Sequence, residues 1–338
     1  MMISDQELLS DHAELQALSG HSFFITGSTG FFGLNLLESL LYLNRTFHLG
    51  MRFTLLVRNR VKAEKLFANL PIANGSVYFL ESDLLGLPNL ALDTSSFDSV
   101  IHLAASTEMR SQAGALEFEQ ESIIEGTRNV LALAGATKSR KLVYLSSGAV
   151  YGPLAYGLTS QAEIAVSQLQ PNRSDLYGKA KVEAERLCEE YRSKFGIKCT
   201  VFRGFALAGP HLKLSSPYAI CSLISSAIQG QPLIVRDGAV VRSYLNIVDA
   251  VIWILKATLR TDDAATYNMG SDKGFALEEI AHRISAKFGN LPVEILDRSE
   301  KPNRYVPNID LARQALGVQD YTSLEQTLLN MIQWHQSE

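Results

Sequence analysis

The chain has 338 residues, of which 46% are hydrophobic and 20% charged, and its formal net charge is −4. These values support a packed core, so they exclude general disorder and a nucleic-acid binder that relies on bulk positive charge. The length fits one large domain with a smaller lobe. Cys188, Cys199 and Cys221 are an odd number of cysteines without a CxxC pair. They argue against a disulfide framework or a zinc cluster and favour a reducing compartment, and we predict no metal site.

The N-terminal segment carries acidic side chains where a secretory signal needs a basic start, and no run of about 18 apolar residues occurs. We therefore expect a cytoplasmic protein without membrane contact. Leu8, Leu9, Leu15 and Leu18 lie near helical spacing. They predict a short amphipathic helix that packs on the body of the protein or, as the alternative, against a partner.

Short apolar runs alternate with longer segments of helical character. The runs lack strict apolar–polar alternation, which is typical of parallel strands buried on both faces. The predicted strands are His21–Thr26, Arg52–Val57, Ser76–Leu80, Ser99–Leu103, Leu142–Ser146 and Lys198–Phe202. This succession predicts an α/β fold, a Rossmann-type doubly wound parallel sheet covered by helices.

The succession ends near residue 205, after which loops separate helices predicted near Tyr218–Gln229, Val248–Thr258 and Ala276–Phe288. We predict a dinucleotide-binding domain over residues 1–205, with an N-terminal helical extension. A smaller C-terminal substrate-binding lobe is predicted over residues 206–338, with some segments returning to the main domain.

A glycine-rich turn lies between the first predicted strand and a helix. Its glycines permit a tight turn, close approach of a diphosphate and close packing of helix on sheet, while the helix N-terminus offers free N–H groups. We predict that the turn binds a dinucleotide; a plain tight turn is the alternative. The residues concerned are Gly27, Ser28, Thr29, Gly30, Phe31, Phe32 and Gly33.

Residues after the next strands bear on the type of cofactor. Arg58 suits the 2′-phosphate of NADP(H), which we favour, although NAD(H) remains possible and a solvated charge is the alternative. Asp83, beside Leu84, is predicted to bond the adenine amino group or to cap a helix. Small residues after the fourth strand leave room for a cofactor or allow close helix packing: Leu103, Ala104 and Ala105.

Ser147, Tyr177 and Lys181 form the predicted catalytic set. Tyr177 and Lys181 are four residues apart, so they share a helix face. A phenol has a pKa of ~10, and a unit charge about 4 Å away contributes roughly 4 kcal/mol, enough to lower it by about three units. The set predicts proton transfer by Tyr177 coupled to hydride transfer, with Ser147 bonding the substrate oxygen. A surface Tyr/Lys pair is the alternative.

Nine motifs follow one another in a recognisable order. They are TGSTGFFG (26–33), SDLL (82–85), HLAA (102–105), EGTRNVL (125–131), SSGAVYG (146–152), YGKAK (177–181), RGFALAGP (203–210), RSYLNIVDA (242–250) and YNMGS (267–271). With them the chain resembles the extended short-chain dehydrogenases/reductases, the NAD-dependent epimerase/dehydratase family that acts on nucleotide sugars.

This resemblance implies an NDP-sugar substrate in the C-terminal lobe. Arg242 and Arg304 are then expected to hold its diphosphate, with ordinary surface charge as the alternative. Ser106 and His211 are expected near the substrate, although His211 also suits a place at the pocket lip or in solvent.

The resemblance also implies a homodimer through a four-helix bundle. Its helices are expected at about Leu116–Ala136 and Asp175–Lys194.

Departures from the family pattern narrow the reaction. Gly148 and Ala149 stand where the 4,6-dehydratases have an Asp-Glu pair, so elimination of water lacks its acid and base. Ala149 also replaces the cysteine of the enzymes that couple epimerisation at C3 and C5 to reduction. Ala206 replaces an asparagine that contacts substrate, and Ile123 replaces another family asparagine.

The remaining residues support carbonyl reduction or 4-epimerisation. Because Arg58 favours NADPH, we predict a reductase of an NDP-4-keto-6-deoxysugar that acts at C4. Tyr177 and Lys181 are then also expected to contact the cofactor, with Lys181 holding the nicotinamide ribose. The alternatives are a 4-epimerase with tightly bound NAD, a 4,6-dehydratase and a non-catalytic nucleotide-binding regulator. The base, the sugar and the product stereochemistry are expected to depend on the loops Pro153–Arg173 and His211–Tyr218.

Overall fold

A computed structural model describes residues 1–73, 75–90, 97–104, 115–156, 162–172 and 175–337, without the side chains of 115–118 and 153–156. The helices of the described residues are α1 (Ile3–Asp11), α2 (Phe31–Thr46), α3 (Arg60–Leu66), α4 (Ala115–Ala136), α5 (Leu176–Phe195), α6 (Ala219–Ile228), α7 (Ile247–Leu259), α8 (Leu277–Ala286), α9 (Asp310–Leu316) and α10 (Leu324–Ser337). The strands are β1 (Ser22–Thr26), β2 (Arg52–Val57), β3 (Val77–Glu81), β4 (Ser99–His102), β5 (Lys141–Ser147), β6 (Cys199–Gly204), β7 (Leu207–Ala208), β8 (Leu233–Val235), β9 (Val241–Arg242), β10 (Leu245–Asn246), β11 (Thr266–Met269), β12 (Phe275–Ala276), β13 (Val293–Ile295) and β14 (Arg304–Tyr305).

The central sheet has the strand order β11-β6-β5-β4-β1-β2-β3. Strand β1 pairs in parallel with β2 on one side and with β4 on the other, and Thr26 lies between Leu56 and His102. The order therefore reverses at β1, so the carboxyl ends of β1 and β4 lie where open α/β sheets bind their ligands. The predicted doubly wound α/β fold is confirmed.

The strand predictions agree with the structure because buried parallel strands have apolar side chains on both faces. Phe24 and Val100, which are register partners in β1 and β4, are both fully buried. All the predicted strands are present with ends shifted by no more than two residues. The sequence did not reveal β11, because its polar residues Thr266 and Asn268 interrupt the apolar run.

The N-terminal segment packs on the body of the protein. Its predicted single helix is a short α1 followed by a 3₁₀ helix over Ala13–Leu18. Leu9, Leu15 and Leu18 are fully buried. The hydroxyl groups of Ser10 and Tyr42, on α1 and α2, are 2.9 Å apart.

The chain divides into two compact units. The first comprises Met1–Gly152, Ile164–Arg203 and Val251–Tyr267, and the second comprises Pro153–Glu163, Gly204–Ala250 and Asn268–Glu338. The second unit contains the small pairings β7–β10 and β8–β13 and the three-stranded sheet β12-β9-β14. The division of cofactor and substrate binding at residues 205–206 stays a prediction.

Within the part of the chain that the structure describes, no helix has both the length and the apolar character needed to cross a bilayer.

Asp249 is a fully buried carboxyl group in the first turn of α7. Its two oxygens accept hydrogen bonds from the backbone N–H and the hydroxyl group of Thr322, at 2.8 and 2.7 Å. Burial raises its pKa to about 7, against these bonds, which lower it. The native state therefore holds a proton that an unfolded chain releases near pH ~3.9.

We expect this proton to make stability pH-dependent. The pKa of Asp249 is higher in the native state than in the unfolded chain. The bound proton therefore contributes fully to the free energy of unfolding below pH ~4. This contribution is lost as the pH rises towards 7, at most by about 1.4 kcal/mol per pH unit. Asp249→Asn mimics the protonated acid and should remove this dependence. The measurement is urea unfolding of both proteins between pH 4 and 8; a constant difference in unfolding free energy across that range would contradict the assignment.

Candidate active site

The glycine turn after β1 is tight at two positions and open at one. Gly27 has a φ of +75°, and a Cβ atom there would lie 2.7 Å from the backbone nitrogen of Ala104. A Cβ atom on Gly33 would lie 2.1 Å from the carbonyl oxygen of Gly27. At Gly30 the nearest protein atom would be 3.5 Å away. The turn thus packs closely against its own chain at Gly27 and Gly33, and it leaves space at Gly30.

The donors around that space fit a dinucleotide diphosphate. Gly30 is the N-cap of α2 and offers no capping side chain to the first N–H groups of the helix. The hydroxyl oxygen of Ser28 is fully buried and makes no hydrogen bond to any described residue. Helix N–H groups and hydroxyl groups are ordinary ligands of phosphate oxygens. Thr29 is exposed on the turn, Phe31 is half-buried and Phe32 is buried.

Of the two arginines after β2, Arg58 is the one available to a ligand. Arg60 lies in the first turn of α3 and its Nε donates to Glu64 at 2.7 Å. Arg58 is exposed, and no ion pair joins it to a described carboxylate. The guanidinium group of Arg58 therefore remains free to bind a phosphate.

The predicted adenine-side residues have roles in the protein itself. Asp83 accepts a hydrogen bond from the Gly86 N–H at 2.6 Å, so the capping alternative is present in the structure. Leu84 is buried against α4, where a Cβ atom on Gly126 would lie 2.7 Å from it. Binding of adenine by Asp83 stays a prediction.

Leu103 and Ala104 follow β4 beside the glycine turn. Leu103 is buried, and the Ala104 N–H lies 3.3 Å from the hydroxyl oxygen of Thr26. Ala105 and Ser106 lie outside the described residues.

The end of β5 presents its two serines in opposite directions, as the strand repeat requires. Ser146 is buried and its hydroxyl group donates to Glu185 at 2.5 Å. Ser147 is half-buried, and its Oγ accepts the backbone N–H of Ala149 at 3.2 Å. The serine accessible to a substrate is therefore Ser147.

Tyr177 lies in the first turn of α5. Asp175 caps that helix by accepting the Gly178 N–H at 3.0 Å, and Gly196 ends it in the left-handed conformation. Tyr177 is half-buried and packs against the core of the first unit. The cap fixes the start of α5 and thereby places Tyr177 in its first turn.

Lys181 is almost fully buried one turn further along α5. Its Nζ donates to the carbonyl oxygen of Leu145 at 2.8 Å. The same nitrogen lies 4.7 Å from the ring centroid of Tyr144 and 5.8 Å from that of Tyr177. Burial lowers the pKa of Lys181 to about 8, so the ammonium form still prevails at neutral pH. The four-residue interval thus places the two side chains on one face of α5, and the catalytic role of the pair stays a prediction.

His102, at the end of β4, is a buried residue that the sequence reasoning did not single out. Its Nδ1 lies 2.8 Å from the hydroxyl oxygen of Thr26 and its Nε2 3.1 Å from that of Thr127. Thr127 donates its own proton to Ile123, so His102 Nε2 is assigned as the donor to Thr127. Burial lowers the pKa of His102 to about 3, which keeps the ring neutral. The sequence could have indicated His102, because it is the first residue of the HLAA motif, from which only the small residues after it were used.

Two of the predicted substrate residues, His211 and Arg242, contact other side chains of the second unit. His211 has a φ of +65° and its ring lies 4.8 Å from that of Trp334. Arg242 Nη1 donates to the side-chain oxygen of Asn303 at 2.9 Å.

Register pairs Arg242 with Tyr305, and Val241 with Arg304. Because register partners share a face of a sheet, Arg242 and Arg304 start from opposite faces of the sheet β12-β9-β14. The strand pairing therefore does not set the two guanidinium groups side by side.

The described residues contain no group of three or more histidine, cysteine or acidic side chains that could hold a metal ion.

Comparison with known proteins identifies the family of this chain. The family model of the NAD dependent epimerase/dehydratase family matches residues 23–270. The UDP-glucose 4-epimerase of Halalkalibacterium halodurans is 25% identical over 265 residues, 72% of this chain and 77% of that protein. A trifunctional UDP-glucose 4,6-dehydratase/UDP-4-keto-6-deoxy-D-glucose 3,5-epimerase/UDP-4-keto-L-rhamnose-reductase of Arabidopsis thaliana is 27% identical over 266 residues, 76% of this chain. The match spans only 39% of the length of that protein.

The fold is also similar to a solved structure. The UDP-glucuronic acid 4-epimerase from Bacillus cereus, in complex with UDP-glucuronic acid and NAD, has a TM-score of 0.74 and 22% sequence identity. The similarity covers 94% of this chain and 99% of that one.

The open position at Gly30 can be tested directly. Gly30→Ala meets no close protein atom, so we expect the melting temperature to change by no more than about 2 °C. The new methyl group would occupy the space predicted for a diphosphate, so dinucleotide affinity should fall about tenfold or more. Titration calorimetry with NADP⁺ and NAD⁺ measures this effect.

Gly135→Ala, in α4, is the matched control. A Cβ atom on Gly135 would also lie 3.5 Å from its nearest neighbour, which is a side-chain atom of Ile197. It should leave dinucleotide affinity unchanged. Equal affinities of the Gly30 and Gly135 variants would refute the diphosphate site.

Proposed function

This chain belongs to the NAD dependent epimerase/dehydratase family and is an enzyme; on that premise we propose that it reduces an NDP-4-keto-6-deoxysugar at C4 with NADPH. The observation that carries the proposal is the junction of β5 and α5. There, Ser147 faces outward and Tyr177 lies beside the buried charge of Lys181. No carboxyl group follows Ser147, because Gly148 and Ala149 occupy those positions.

The substrate class is supported by the printed activities of the related proteins. They include a 4-epimerase of UDP-glucose and a protein whose activities comprise reduction of a UDP-4-keto sugar. The similar solved structure contains a UDP-sugar and NAD. A nucleoside diphosphate sugar is therefore the substrate class that we propose here, with the base left open.

The proposed roles follow from the protonation states of the residues. Bound NADPH would supply the hydride. The phenol of Tyr177 would give its proton to the oxygen of the sugar carbonyl, and the Ser147 hydroxyl would bond that same oxygen. The ammonium group of Lys181 would stabilise the negative charge left on Tyr177. With no additional acid or base in the set, these residues serve carbonyl reduction and not elimination of water.

The choice of NADPH rests on Arg58. Its exposed side chain directly follows β2, the neighbour of β1 in the sheet, where a dinucleotide-binding fold meets the 2′-position of the ribose and a 2′-phosphate would need a cation. Arg60 is already paired with Glu64. A soluble reductant also suits a net reduction.

In the second unit, Arg242 is proposed to bind the substrate diphosphate. Asn303 restrains this guanidinium group through Nη1. The homodimer through α4 and α5 stays a prediction, as do the substrate roles of Arg304, His211 and Ser106.

A 4-epimerase with tightly bound NAD is the second candidate, and the similarity to 4-epimerases favours it. Ser147, Tyr177 and Lys181 would serve it equally, since such an enzyme oxidises and then reduces the same carbon atom. The difference lies in the source of the hydride.

A substrate panel separates the two reactions. We expect the purified enzyme to oxidise NADPH faster than NADH in the presence of one of several NDP-4-keto-6-deoxysugars, as followed by absorbance. Interconversion of NDP-hexoses without added dinucleotide, together with NAD released on denaturation, would establish the epimerase instead.

Tyr177→Phe tests the proton donor. Loss of a general acid should lower kcat about 100- to 10,000-fold, while the dissociation constant of NADPH changes little. Tyr191→Phe, on the same helix, is the control and should retain the wild-type rate. Steady-state kinetics with NADPH titration makes the comparison, and an undiminished kcat in Tyr177→Phe would overturn the mechanism.

Arg58→Ala tests the cofactor preference. The KM for NADPH should rise about tenfold or more, because the partner of the 2′-phosphate is lost, whereas the KM for NADH should not change. Arg60→Ala removes a neighbouring arginine that is already paired, and it should alter neither value. Equal effects of the two substitutions would contradict the role of Arg58.

A further inference from the structure

Two residues near the end of β5, Leu145 and Ser146, are bonded to two successive turns of α5. The Leu145 carbonyl oxygen accepts the Lys181 ammonium group at 2.8 Å, and the Ser146 hydroxyl group donates to Glu185 at 2.5 Å. Lys181 and Glu185 are four residues apart, so they lie on the same face of α5. Ser147 follows directly on the strand. These two bonds therefore set the position of Ser147 relative to α5, whose first turn carries Tyr177.

The Glu185 carboxylate is itself held by an ion pair. Both of its oxygens accept from the guanidinium group of Arg203 on β6, with Nη2 at 2.8 Å and Nε at 3.1 and 3.2 Å. The side chains of Glu185 and Arg203 are 2% and 1% exposed. Arg203 Nη1 donates further to the Tyr151 hydroxyl group at 2.9 Å and to the carbonyl oxygen of Ile164 at 2.8 Å. The carboxylate is thus held by the adjacent strands β5 and β6 and, through Arg203, by Tyr151 of the 3₁₀ helix Gly148–Tyr156.

A buried ion pair of this kind adds little stability over apolar side chains of the same size. Its geometric effect is different, since a displacement of about 1 Å between reacting groups can cost a factor of about 100 in rate. The network joins the strand that carries Ser147 to the helix that carries Tyr177. The location of this network indicates that it maintains the relative position of Ser147 and Tyr177.

Glu185 also places a negative charge next to the turn that carries Lys181. The groups that face Lys181 are Glu185, Cys188 and Tyr177 on its own helix, Tyr144 from β5, Glu119 from α4 and His102 from β4. His102 is neutral, and the Cys188 pKa is raised well above its usual value, so the anions are Glu185 and Glu119. Of the groups that raise the Lys181 pKa against burial, Glu185 has the largest effect. Its carboxylate thus favours the charged lysine.

We propose that Glu185 is a positioning residue: held by Arg203 and Ser146, it fixes α5 against the end of β5 and places its carboxylate one turn from Lys181. The inference rests on the proposed function for the reaction that it assists. Glu185 contacts neither substrate nor cofactor in this role, because it acts through Ser146 and Lys181. Arg203, Tyr151 and Ile164 serve to hold its carboxylate in place.

Two substitutions separate the two effects of Glu185. Ser146→Ala cuts the bond to β5 but leaves the Glu185–Arg203 ion pair, so kcat should fall about tenfold with an unchanged pH profile. The KM for the NDP-sugar and the dissociation constant of NADPH should stay within about twofold. Glu185→Gln removes the charge, so the pKa of Lys181 should fall by about one unit and the alkaline limb of kcat should shift to lower pH by the same amount.

The Lys181 pKa is read by NMR titration of ¹⁵N-lysine-labelled protein, with Lys181→Arg used to assign the signal. This readout needs no turnover, so a wild-type enzyme that is inactive on every sugar would contradict the proposed function while the titration still decides the role of Glu185. Asp263→Asn is the matched control, because Asp263 lies 3.9 Å from buried Lys141 at the opposite end of β5. It should leave kcat, the pH profile and the Lys181 titration unchanged.

If the Glu185→Gln protein does not fold, the kcat of Ser146→Ala alone tests the proposal. A folded Ser146→Ala enzyme with the wild-type kcat, or a Glu185→Gln protein with the wild-type Lys181 titration, would show that the network only stabilises the fold and would overturn the proposal.

Discussion

The burial of one ammonium group, that of Lys181, is the constraint on which the site depends. A charge removed from water is costly unless its surroundings compensate for it. The compensation comes from the Leu145 carbonyl oxygen, the face of the Tyr144 ring and the nearby carboxylates. Each partner is effective only at short range, so α5 must lie at one register on β5. The same register sets Tyr177 relative to Ser147, which links the stability of the buried charge to the geometry of the proposed reaction.

A continuous layer of side chains connects this charge to the glycine turn. Thr26 bonds His102, whose ring stacks on Tyr144 at 5.3 Å, and Tyr144 lies beneath Lys181. The layer crosses β1, β4 and β5, where the strand order reverses. His102 must stay neutral here, because a second cation would repel the lysine. The proposed cofactor turn and the proposed catalytic residues are thus parts of one packed structure.

The three glycines of the turn differ in whether the protein's own packing requires a glycine. Gly27 and Gly33 are required by the protein itself, since a side chain at either would overlap backbone atoms. Gly30 has no such contact. Close approach of a ligand to the backbone would give a reason for glycine there, in line with the proposed dinucleotide site, and the N-cap position of Gly30 also suits glycine.

The sequence by itself determined the periodic and local features. Apolar runs specified the six predicted strands, glycine spacing specified the turn, and the four-residue interval specified that Tyr177 and Lys181 share a face. These features depend on residues that are near neighbours in the chain, so their geometry follows from the helix and strand repeats. The polar strand β11 could not be found this way, because it is held by its neighbour β6 and not by an apolar pattern.

Only the tertiary structure showed which side chains far apart in the sequence are in contact. It showed that Arg60 has a partner whereas Arg58 is available, and that register starts Arg242 and Arg304 on opposite faces of their sheet. It turned Ser146 inward to Glu185 and thereby left Ser147 for a substrate. Charges and hydrogen bonds act over a few ångströms in space, without regard to separation along the chain, so only the folded chain reveals which of these groups meet.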